Sequence, residues 1–476
     1  MTAEQVLGHW IESGNSPASD GGVMDSLNPL DDSLYMKVAD GTPEDIDRAV
    51  KSAHAQFQSY SKTSTTQREA WLCKAAELLE ERYEQFVDLL IDEGGSSRKK
   101  ADFETTKAIS FIRAAVGIVR QMSGKTLPTD YPGRLSMTWR SPRGVVAVIT
   151  PFNVPLIKAA RLCANVLATG STAVLLPSEE HPVLSLKFAE LIADAGFPPG
   201  ALNVVAGNGY KIGDSLTGHP LVKTVTFTGS TVVGKHIQQL CASQNKHVTL
   251  ELGGKSPLVI MDDADLQEAV QGAIRGIFMH QGQACVGSSR IYVQKGVYQK
   301  FVEMFTTIVG KLGMGDLRDP NTIIGPIISE KQRNRVKGHI EDARVKGAEI
   351  ATGGTWEGNR CLPTVLLNVS EEMDVCKQET FGPVVSVYQF SDFDEAVSKA
   401  NDSVYGLSSA IFTQNLKSAI DYAQQIESGM VHINGPSITD EAHVPFGGMG
   451  DSGFGKEGTE ADMEAFTELK WVTIKT

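Results

Sequence analysis

The sequence predicts an α/β fold in which two parallel sheets are covered by helices. From residue 145 onward, short runs rich in Val, Ile and Leu alternate with amphipathic helical segments. Such alternation is typical of βαβ units, whose parallel sheets are buried on both faces. The chain has 476 residues, which is long enough for two such units and a smaller element.

The part of the chain before residue 145 is predicted to be mainly helical. Residues 8–40 carry Gly, Pro, Asn and Asp turn signals and are expected to be irregular. Apolar residues then recur at helical spacing and predict three helices, one from Pro43, one over 67–92 and one over 103–122. Alternation of polar and apolar residues after Pro132-Gly133 predicts a β-hairpin within 124–142.

Two β/α series follow this hairpin. The first has predicted strands at 145–149, 172–176, 202–205, 224–227 and 248–251, with helices from 155 and at 182–195, 210–217 and 232–242. The second has predicted strands at 258–260, 290–293, 384–390, 408–412 and 430–433, with helices at 264–280, 297–311, 330–346, 393–400 and 415–427. A last strand at 471–474 is isolated, so it needs a partner in this chain or in another subunit.

The composition excludes several classes of function. The formal net charge is −13, and no cluster of Lys and Arg overrides it, which argues against nucleic-acid binding. The first residues lack the pattern of a secretory signal, and no apolar run has the length of a membrane span. The six cysteines form no CxxC pair, so we expect no disulfide framework and no metal site. Reduced thiols fit a cytoplasmic protein.

Two Gly-rich segments carry the main candidates for catalysis. Cys285 lies in the run Gly282-Gln283-Ala284-Cys285, and Glu251 lies at a predicted strand end before Gly253-Gly254. A thiolate can add to a carbonyl carbon, and a carboxylate can then activate water to release the acyl group. A lone cysteine is more often a small buried residue, and a lone Glu at a strand end is a weak signal. Together they predict carbonyl chemistry through a thioester.

Three further segments follow predicted strands, where α/β sheets bind ligands. Asn153 could donate to a developing oxyanion, or it could simply form a turn before a helix that starts with proline. Gly229-Ser230 precedes a helix whose N-terminus could bind a phosphate, or Ser230 could be an ordinary cap. Glu179 could hold a ribose diol, or it could be a surface Glu favoured by the helix dipole.

Taken together, these segments resemble the aldehyde dehydrogenase superfamily along essentially the whole chain. The runs that carry the resemblance are 151–155 (PFNVP), 227–230 (FTGS), 251–257 (ELGGKSP), 282–285 (GQAC), 379–383 (ETFGP) and 445–448 (PFGG). The resemblance implies two Rossmann-like domains, one for the coenzyme and one for catalysis, and a small β element for oligomerisation. It also implies oxidation of an aldehyde to a carboxylic acid with a nicotinamide coenzyme.

The resemblance also implies roles for individual residues. Cys285 is the expected nucleophile, Asn153 the expected oxyanion donor and Glu251 the expected base that activates water. The expected coenzyme contacts are Ile149, Thr150, Pro151, Phe152, Pro177, Ser178, Glu179, Gly209, Gly229, Ser230, Leu252, Glu379 and Phe381.

The sequence departs from the family pattern at two positions. The family usually has Lys where this chain has Leu176, so with Glu179 present we expect NAD rather than NADP. Many members carry Lys at the position of Leu162, whereas here Arg161 precedes it, which resembles the benzaldehyde, salicylaldehyde and vanillin dehydrogenase branch. We therefore expect an aromatic aldehyde in a pocket formed by Arg161, Val154, Leu156, Ile157, Val286 and Phe446, although Arg161 could also be a salt-bridged helix residue.

The domains expected from the resemblance are discontinuous. Residues 1–122 and 143–253 would form the NAD-binding domain and 254–465 the catalytic domain, while 123–142 and 466–476 would form the oligomerisation element. A homodimer or homotetramer follows from that element. Three other functions stay open at this point: oxidation of an aliphatic aldehyde or semialdehyde, a catalytically silent structural or binding protein, and a cysteine hydrolase. Glu251 argues against a fourth, a CoA-acylating dehydrogenase, because acyl transfer to CoA needs no base that activates water.

Overall fold

The computed structural model describes residues 6–475 and contains two large sheets covered by helices. The α-helices are α1 Pro43–Tyr60, α2 Thr65–Glu81, α3 Tyr83–Asp92, α4 Arg98–Gln121, α5 Pro155–Thr169, α6 Pro182–Asp194, α7 Gly209–Thr217, α8 Thr231–Ser243, α9 Leu266–Phe278, α10 Tyr298–Val309, α11 Glu330–Val345, α12 Asp374–Lys377, α13 Phe393–Asn401, α14 Leu416–Gln425 and α15 Thr459–Ala465. A 3₁₀ turn spans Met279–Gly282.

The strands are β1 Val6–Leu7, β2 His9–Ile11, β3 Gly14–Ser16, β4 Val23–Asn28, β5 Ser33–Ala39, β6 Thr126–Leu127, β7 Arg134–Pro142, β8 Val145–Ile149, β9 Thr172–Leu176, β10 Leu202–Val204, β11 Val222–Thr228, β12 His247–Glu251, β13 Pro257–Ile260, β14 Arg290–Gln294, β15 Glu349–Thr352, β16 Trp356–Glu357, β17 Arg360–Cys361, β18 Thr364–Leu367, β19 Val384–Phe390, β20 Tyr405–Gly406, β21 Ser408–Phe412, β22 Met430–Ile433, β23 Met449–Gly450, β24 Gly453–Phe454 and β25 Thr467–Lys475.

The first sheet has eight strands in the order β24-β12-β11-β8-β9-β10-β2-β3. The five strands from β12 to β10 are parallel, and their apolar side chains are buried under helices on both faces. The chain leaves β8 towards β9 and β10 and then returns to the other side of β8 to form β11. This reversal creates a topological switch point between β8 and β11, where doubly wound sheets open a crevice for ligands.

The second sheet has seven strands in the order β15-β18-β19-β14-β13-β21-β22. All of its neighbours pair in parallel except β15 with β18. The α/β class predicted from the sequence is therefore confirmed. The loop between α9 and β14 carries Cys285, so the second unit brings the candidate thiol to the first.

A three-stranded sheet, in the order β25-β7-β6, stands beside the two large sheets. The predicted hairpin is formed by β6 and β7, and the isolated strand predicted at 471–474 is longer than expected. It is β25, and it pairs antiparallel with β7 along its whole length, from Thr467 opposite Pro142 to Lys475 opposite Arg134. Its partner is thus in the same chain.

Three expectations about the fold are corrected. Residues 8–40 are not irregular, because β2 to β5 lie there; their short strands are partly exposed and interrupted by turns. The helix predicted over 67–92 is two helices that meet at Arg82, whose ψ of 20° is not helical. Residues 453–465 lie with the first sheet rather than the second, since β24 pairs with β12 and α15 packs on α5.

No helix among residues 6–475 is long and apolar enough to cross a membrane. Within the same residues, no group of three or more His, Cys, Asp or Glu side chains could hold a metal ion.

Candidate active site

The loop that carries Cys285 begins with an unusual backbone. His280, Gln281 and Gly282 all have positive φ angles, of 52°, 44° and 72°. Non-glycine residues rarely adopt this region, and such strain persists only where neighbours hold the chain in place. Here the Gln281 side chain does so, because its Nε2 donates to the Pro326 carbonyl at 2.8 Å and its Oε1 accepts from Gly325 N at 3.3 Å. The backbone of this loop is therefore supported by contacts within the chain itself.

Cys285 is partly exposed at the end of this loop. Desolvation raises the pKa of its thiol to about 12, and the positive charge of Lys158 opposes that rise. At neutral pH the resting group is therefore the thiol rather than the thiolate. A nearby base has to accept the thiol proton, or a nearby cation has to stabilise the thiolate, before Cys285 can attack a carbonyl carbon.

Asn153 follows β8 and reaches the same loop. Its side chain is buried, and its Nδ2 donates to the carbonyl oxygen of Gln283 at 2.9 Å. This bond uses one of the two amide hydrogens and leaves the other for a second acceptor. The structure thus joins Asn153, from the first unit, to the loop of the second unit that carries Cys285.

Glu251 ends β12 and is buried. Neither of its carboxylate oxygens has a hydrogen-bond partner among the described residues. Burial raises its pKa well above the usual value, and the charge of Glu457 adds to this effect, while Lys158, Lys456 and Arg161 oppose it. A desolvated carboxyl with a raised pKa, free of fixed partners, is suited to accept a proton from water.

A buried ion pair lies beside these groups and was not predicted from the sequence. Lys158 Nζ lies 2.7 Å from Glu457 Oε2, and the exposed fractions of the two side chains are 4% and 0%. The ammonium also lies 4.9 Å from the centre of the Phe446 ring. The sequence signal for this ion pair was Lys158 itself, a single Lys on α5, where the other positions near Asn153 are apolar. Leu162, one turn further on, is fully buried in the core.

Arg161 is held within the same charged group. Its Nη1 donates to Asp440 Oδ2 at 3.0 Å and lies 3.7 Å from Glu457 Oε2. Its guanidinium lies over the rings of Phe111 and Phe446, at 4.6 and 5.4 Å. Burial lowers the pKa of Arg161, but the surrounding carboxylates outweigh burial and raise it. Arg161 is thus a salt-bridged helix residue that also acts electrostatically on Glu251.

Most of the predicted coenzyme residues lie at the carboxyl ends of adjacent strands. Ile149 ends β8 and Thr150 to Phe152 follow it, Pro177 to Glu179 follow β9, and Gly229 and Ser230 follow β11. Together these three segments border the switch point.

The same crevice contains polar groups without partners that a bound dinucleotide could satisfy. Within the described chain, the N-terminus of α8 has no side-chain cap from Ser230, so its first N–H groups are free for a phosphate. The buried hydroxyl Oγ1 of Thr150 also lacks a partner among residues 6–475. Buried polar groups without partners are rare in native proteins, so these donors fit a polar ligand.

Glu379 and Phe381 come from the turn before β19. Glu379 Oε1 accepts from Gly254 N at 3.1 Å, and burial raises the pKa of Glu379. Phe381 has a φ of 53° and meets the Phe152 ring edge-on at 5.7 Å. Gln332, which sequence reasoning missed, holds this strained turn, because its Nε2 donates to the carbonyls of Thr380 and Phe381 at 2.9 and 2.8 Å.

Other predicted residues lie in different surroundings. Leu252 is buried in the core, where it packs against Gly234 of α8, and Leu156 is fully buried between helices of the first unit. Ile157 and Phe446 are buried, whereas Val154 and Val286 are partly exposed. Gly209 begins α7, and a side chain there would approach the Glu179 carboxylate at 3.8 Å.

A thiol, an unpartnered carboxylate and an amide donor meet beside a crevice of the dinucleotide-binding type. This combination is typical of oxidoreductases that act on a carbonyl group. The sequence model of the aldehyde dehydrogenase family matches residues 16–472. The chain therefore belongs to the aldehyde dehydrogenase family and is an aldehyde dehydrogenase.

Curated relatives and solved structures support this assignment. The chain is 39% identical to a vanillin dehydrogenase of Pseudomonas fluorescens, with 96% of each chain covered. It is 36% identical to a glutarate-semialdehyde dehydrogenase of Pseudomonas putida, covering 98% of this chain and 97% of the relative.

Two solved structures superpose closely. A salicylaldehyde dehydrogenase from Pseudomonas putida G7, complexed with salicylaldehyde, matches with a TM-score of 0.96 and 34% identity over 99% of each chain. A betaine aldehyde dehydrogenase from Staphylococcus aureus in complex with NAD+ matches with a TM-score of 0.96 and 32% identity, covering 99% of this chain and 95% of that chain. A nicotinamide coenzyme is therefore the cofactor that the family and the crevice support.

Proposed function

We propose that this enzyme oxidises an aromatic aldehyde to its carboxylic acid with NAD, through a covalent bond to Cys285. The observation that carries the proposal is the meeting of Asn153 with the Cys285 loop, next to the unpartnered carboxylate of Glu251. An amide donor, a thiol and a free base are the groups that acyl chemistry on a thiol needs.

The chain's own residues account for the bond changes at the carbonyl. The Cys285 S–H bond breaks and its proton leaves to solvent, while the sulfur forms a bond to the carbonyl carbon. The electron pair of the C=O π bond moves to the oxygen, and Asn153 Nδ2 with the Cys285 backbone N–H stabilises the resulting oxyanion. Bound NAD supplies the acceptor for the hydride that leaves this carbon, which gives a thioester. Glu251 then removes a proton from water, the hydroxide adds to the acyl carbon, and the Cys285 thiolate leaves as the acid forms.

The coenzyme region favours NAD over NADP. Glu179 lies beside Gly209 at the predicted adenosine-ribose site, where its carboxylate would repel a 2′-phosphate. Leu176 offers no cation to compensate, because it is an apolar residue buried in the sheet. We expect kcat/KM for NAD to exceed that for NADP.

The preference for an aromatic aldehyde rests on the relatives and on Arg161. The vanillin and salicylaldehyde enzymes act on ring-bearing aldehydes, as their names state. In this chain the Arg161 guanidinium lies over the rings of Phe111 and Phe446, and its charge acts on Glu251. Among residues 6–475, its buried Nε has no acceptor.

The test is NADH formation across benzaldehydes, straight-chain aldehydes and semialdehydes, each with NAD and with NADP. Cys285→Ala serves as the blank, and we expect the highest kcat/KM for ring-bearing aldehydes. Arg161→Ala should reduce this preference, and Arg161→Lys is its charge-matched control. An unchanged ratio of aromatic to aliphatic kcat/KM in Arg161→Ala would refute the role of Arg161.

Aliphatic or semialdehyde oxidation is the second candidate function. The similarity to a glutarate-semialdehyde dehydrogenase favours it. The same panel decides between the two, because a semialdehyde preference would leave the chemistry of Cys285 unchanged and replace only the substrate class.

The roles of the three sheets and the association of subunits are part of the same proposal. The first sheet would hold the coenzyme, the second would carry the nucleophile, and the sheet of β25, β7 and β6 would join subunits into a homodimer or homotetramer. All six cysteines are free, which fits a reducing compartment such as the cytoplasm.

A further inference from the structure

Two helices of the first unit begin without a cap of their own. Over the described residues, neither Val154 before α5 nor His181 before α6 caps its helix through a side chain. Both helices start with a proline, which suits the first helical position but leaves the next N–H groups without helical acceptors. Buried N–H groups of this kind need partners from elsewhere.

A buried carboxylate from another segment supplies each partner. Glu104 Oε1 accepts from Leu156 N at 2.9 Å and from Ile157 N at 3.2 Å at the start of α5. Glu93 accepts from Val183 N at 2.8 Å and from Leu184 N at 3.0 Å at the start of α6.

Neither carboxylate is exposed to solvent, and each lies where the helix dipole favours a negative charge. Both caps are therefore buried carboxyl groups, but their other partners differ: Glu104 is ion-paired with Lys100, and Glu93 accepts from the Ser26 hydroxyl.

Each capped helix directly follows a segment of the candidate site. Only Val154 separates Asn153 from α5, and Glu179 lies three residues before α6. The direction in which Asn153 reaches the Gln283 carbonyl thus depends on how the first turn of α5 is held. The placement of the 177–179 segment depends in the same way on α6.

We propose that Glu104 and Glu93 are positioning residues of the reaction, with Glu104 orienting Asn153 and Glu93 orienting the 177–179 segment. The proposal rests on the proposed function. When a cap is lost, the first helical turn frays, and the residues joined to it move with it. Since a displacement of about 1 Å at a reacting group costs on the order of a hundredfold in rate, an effect on turnover should be measurable.

The two sites predict different kinetic effects. Replacing Glu104 by Leu removes the acceptor shared by the two N–H groups at the start of α5. We therefore expect kcat to fall by about tenfold to a hundredfold while KM for NAD changes little. Replacing Glu93 by Leu should raise KM for NAD by about tenfold and leave kcat within about twofold. Gln at either position keeps one acceptor oxygen and should restore part of the loss.

The Glu104 variants need one correction for charge. Lys100 forms a buried ion pair with Glu104, so removing the carboxylate alone would leave an unpaired buried cation. The variants are therefore made in a Lys100→Met background. Asp265→Leu is the stability control, because it removes the exposed cap of α9 in the second unit, away from Asn153.

A double-mutant cycle with Asn153→Ala separates positioning from general destabilisation. If Glu104 acts through Asn153, Glu104→Leu should lower kcat in the Lys100→Met background and have almost no further effect when Asn153→Ala is also present. Equal factors in the two backgrounds would overturn the proposal, as would matched losses of kcat and melting temperature in the Asp265 control.

Two measurements without turnover distinguish this proposal from the proposed function. Glu104→Leu should speed amide hydrogen exchange in a peptide covering 153–158, and Glu93→Leu should weaken NAD binding measured by calorimetry. Unchanged hydrogen exchange and unchanged NAD binding would contradict the positioning roles of Glu104 and Glu93, even if the wild-type enzyme oxidises aldehydes. Faster exchange in an enzyme inactive on every aldehyde would instead reject the proposed function alone.

Discussion

Desolvation dominates the electrostatics of the two reacting side chains. It raises the pKa of both Cys285 and Glu251, and in both cases the charge of Lys158 opposes it. One buried ammonium, held by Glu457, therefore acts on the nucleophile and on the base at once. The position of this charge follows from a single side chain on α5.

The pH dependence of thiol alkylation tests the effect of Lys158. In the coenzyme-free enzyme, alkylation of Cys285 by iodoacetamide should rise with pH and reach no plateau below about pH 10, because burial raises the thiol pKa to about 12. Lys158 favours the thiolate, so Lys158→Met raises this pKa further and leaves less thiolate at every lower pH. A change of one pKa unit would slow alkylation at pH 8 by about tenfold.

The rate is read from the Cys285 peptide by mass spectrometry, which separates it from the exposed Cys73. Lys187→Met is the matched control, since Lys187 pairs with Glu190 on α6. Identical pH curves for wild type and Lys158→Met would show that the ammonium does not govern the thiol.

At the scale of elements, the segment between β22 and α15 supports the base. Phe446 and Glu457 exchange two backbone hydrogen bonds of 2.8 Å, which places Gly447 against Glu251. Gly447 has a φ of 149°, and a side chain there would overlap Glu251 Oε1. This glycine is required both by its backbone and by the carboxylate beside it.

Gly447→Ala should therefore impair the hydrolytic step. The added methyl group displaces the Glu251 carboxylate, and general bases contribute about a hundredfold or more to such steps. We expect an initial burst of NADH of about one per site, followed by a steady rate at least about tenfold below wild type. Rapid-mixing absorbance at 340 nm, the NADH band, measures both phases.

Gly338→Ala on α11 is the control, because a side chain there meets nothing within 4 Å. Loss of the burst together with the steady rate would contradict a specific effect on Glu251.

The turns of the site could be predicted from the sequence more completely than the contacts between helices. Asn153, Gly229 and Glu251 follow strands, and Gly or Pro residues mark the ends of those strands, so their meeting at one sheet edge could be predicted. Lys158 and Gln332 could not be predicted in the same way. Their contacts depend on the rotation of α5 and α11 against other elements, which apolar periodicity does not fix.

At the scale of the whole molecule, the predicted α/β class is confirmed. The two predicted β/α series do not show, however, that the chain returns from the second sheet to the first near its end. Gly453-Phe454 is too short for a strand signal, and its pairing with β12 depends on the return of the chain from the second sheet. Local sequence patterns therefore predict the two series and miss this return.

The surface of the β25, β7 and β6 sheet makes the clearest prediction at this scale. Trp471 is 70% exposed and Trp139 is 51% exposed. Trp471 lies opposite Thr138 and Trp139 opposite Lys470 in the antiparallel ladder, so the two rings project from opposite faces of the sheet. We therefore predict that this sheet contacts another subunit, because large exposed apolar patches often mark protein–protein contacts.

We expect sedimentation velocity to show a dimer or tetramer, because burying these rings is favoured by the hydrophobic effect. Trp139→Glu combined with Trp471→Glu should shift the protein to the monomer, since a carboxylate in such an interface would lose its hydration without a partner. Val345→Glu is the control, because Val345 is 75% exposed on α11 outside this sheet. An unchanged sedimentation coefficient for the double variant would show that the subunits meet elsewhere, and a monomeric wild type would remove the assembly from the proposal.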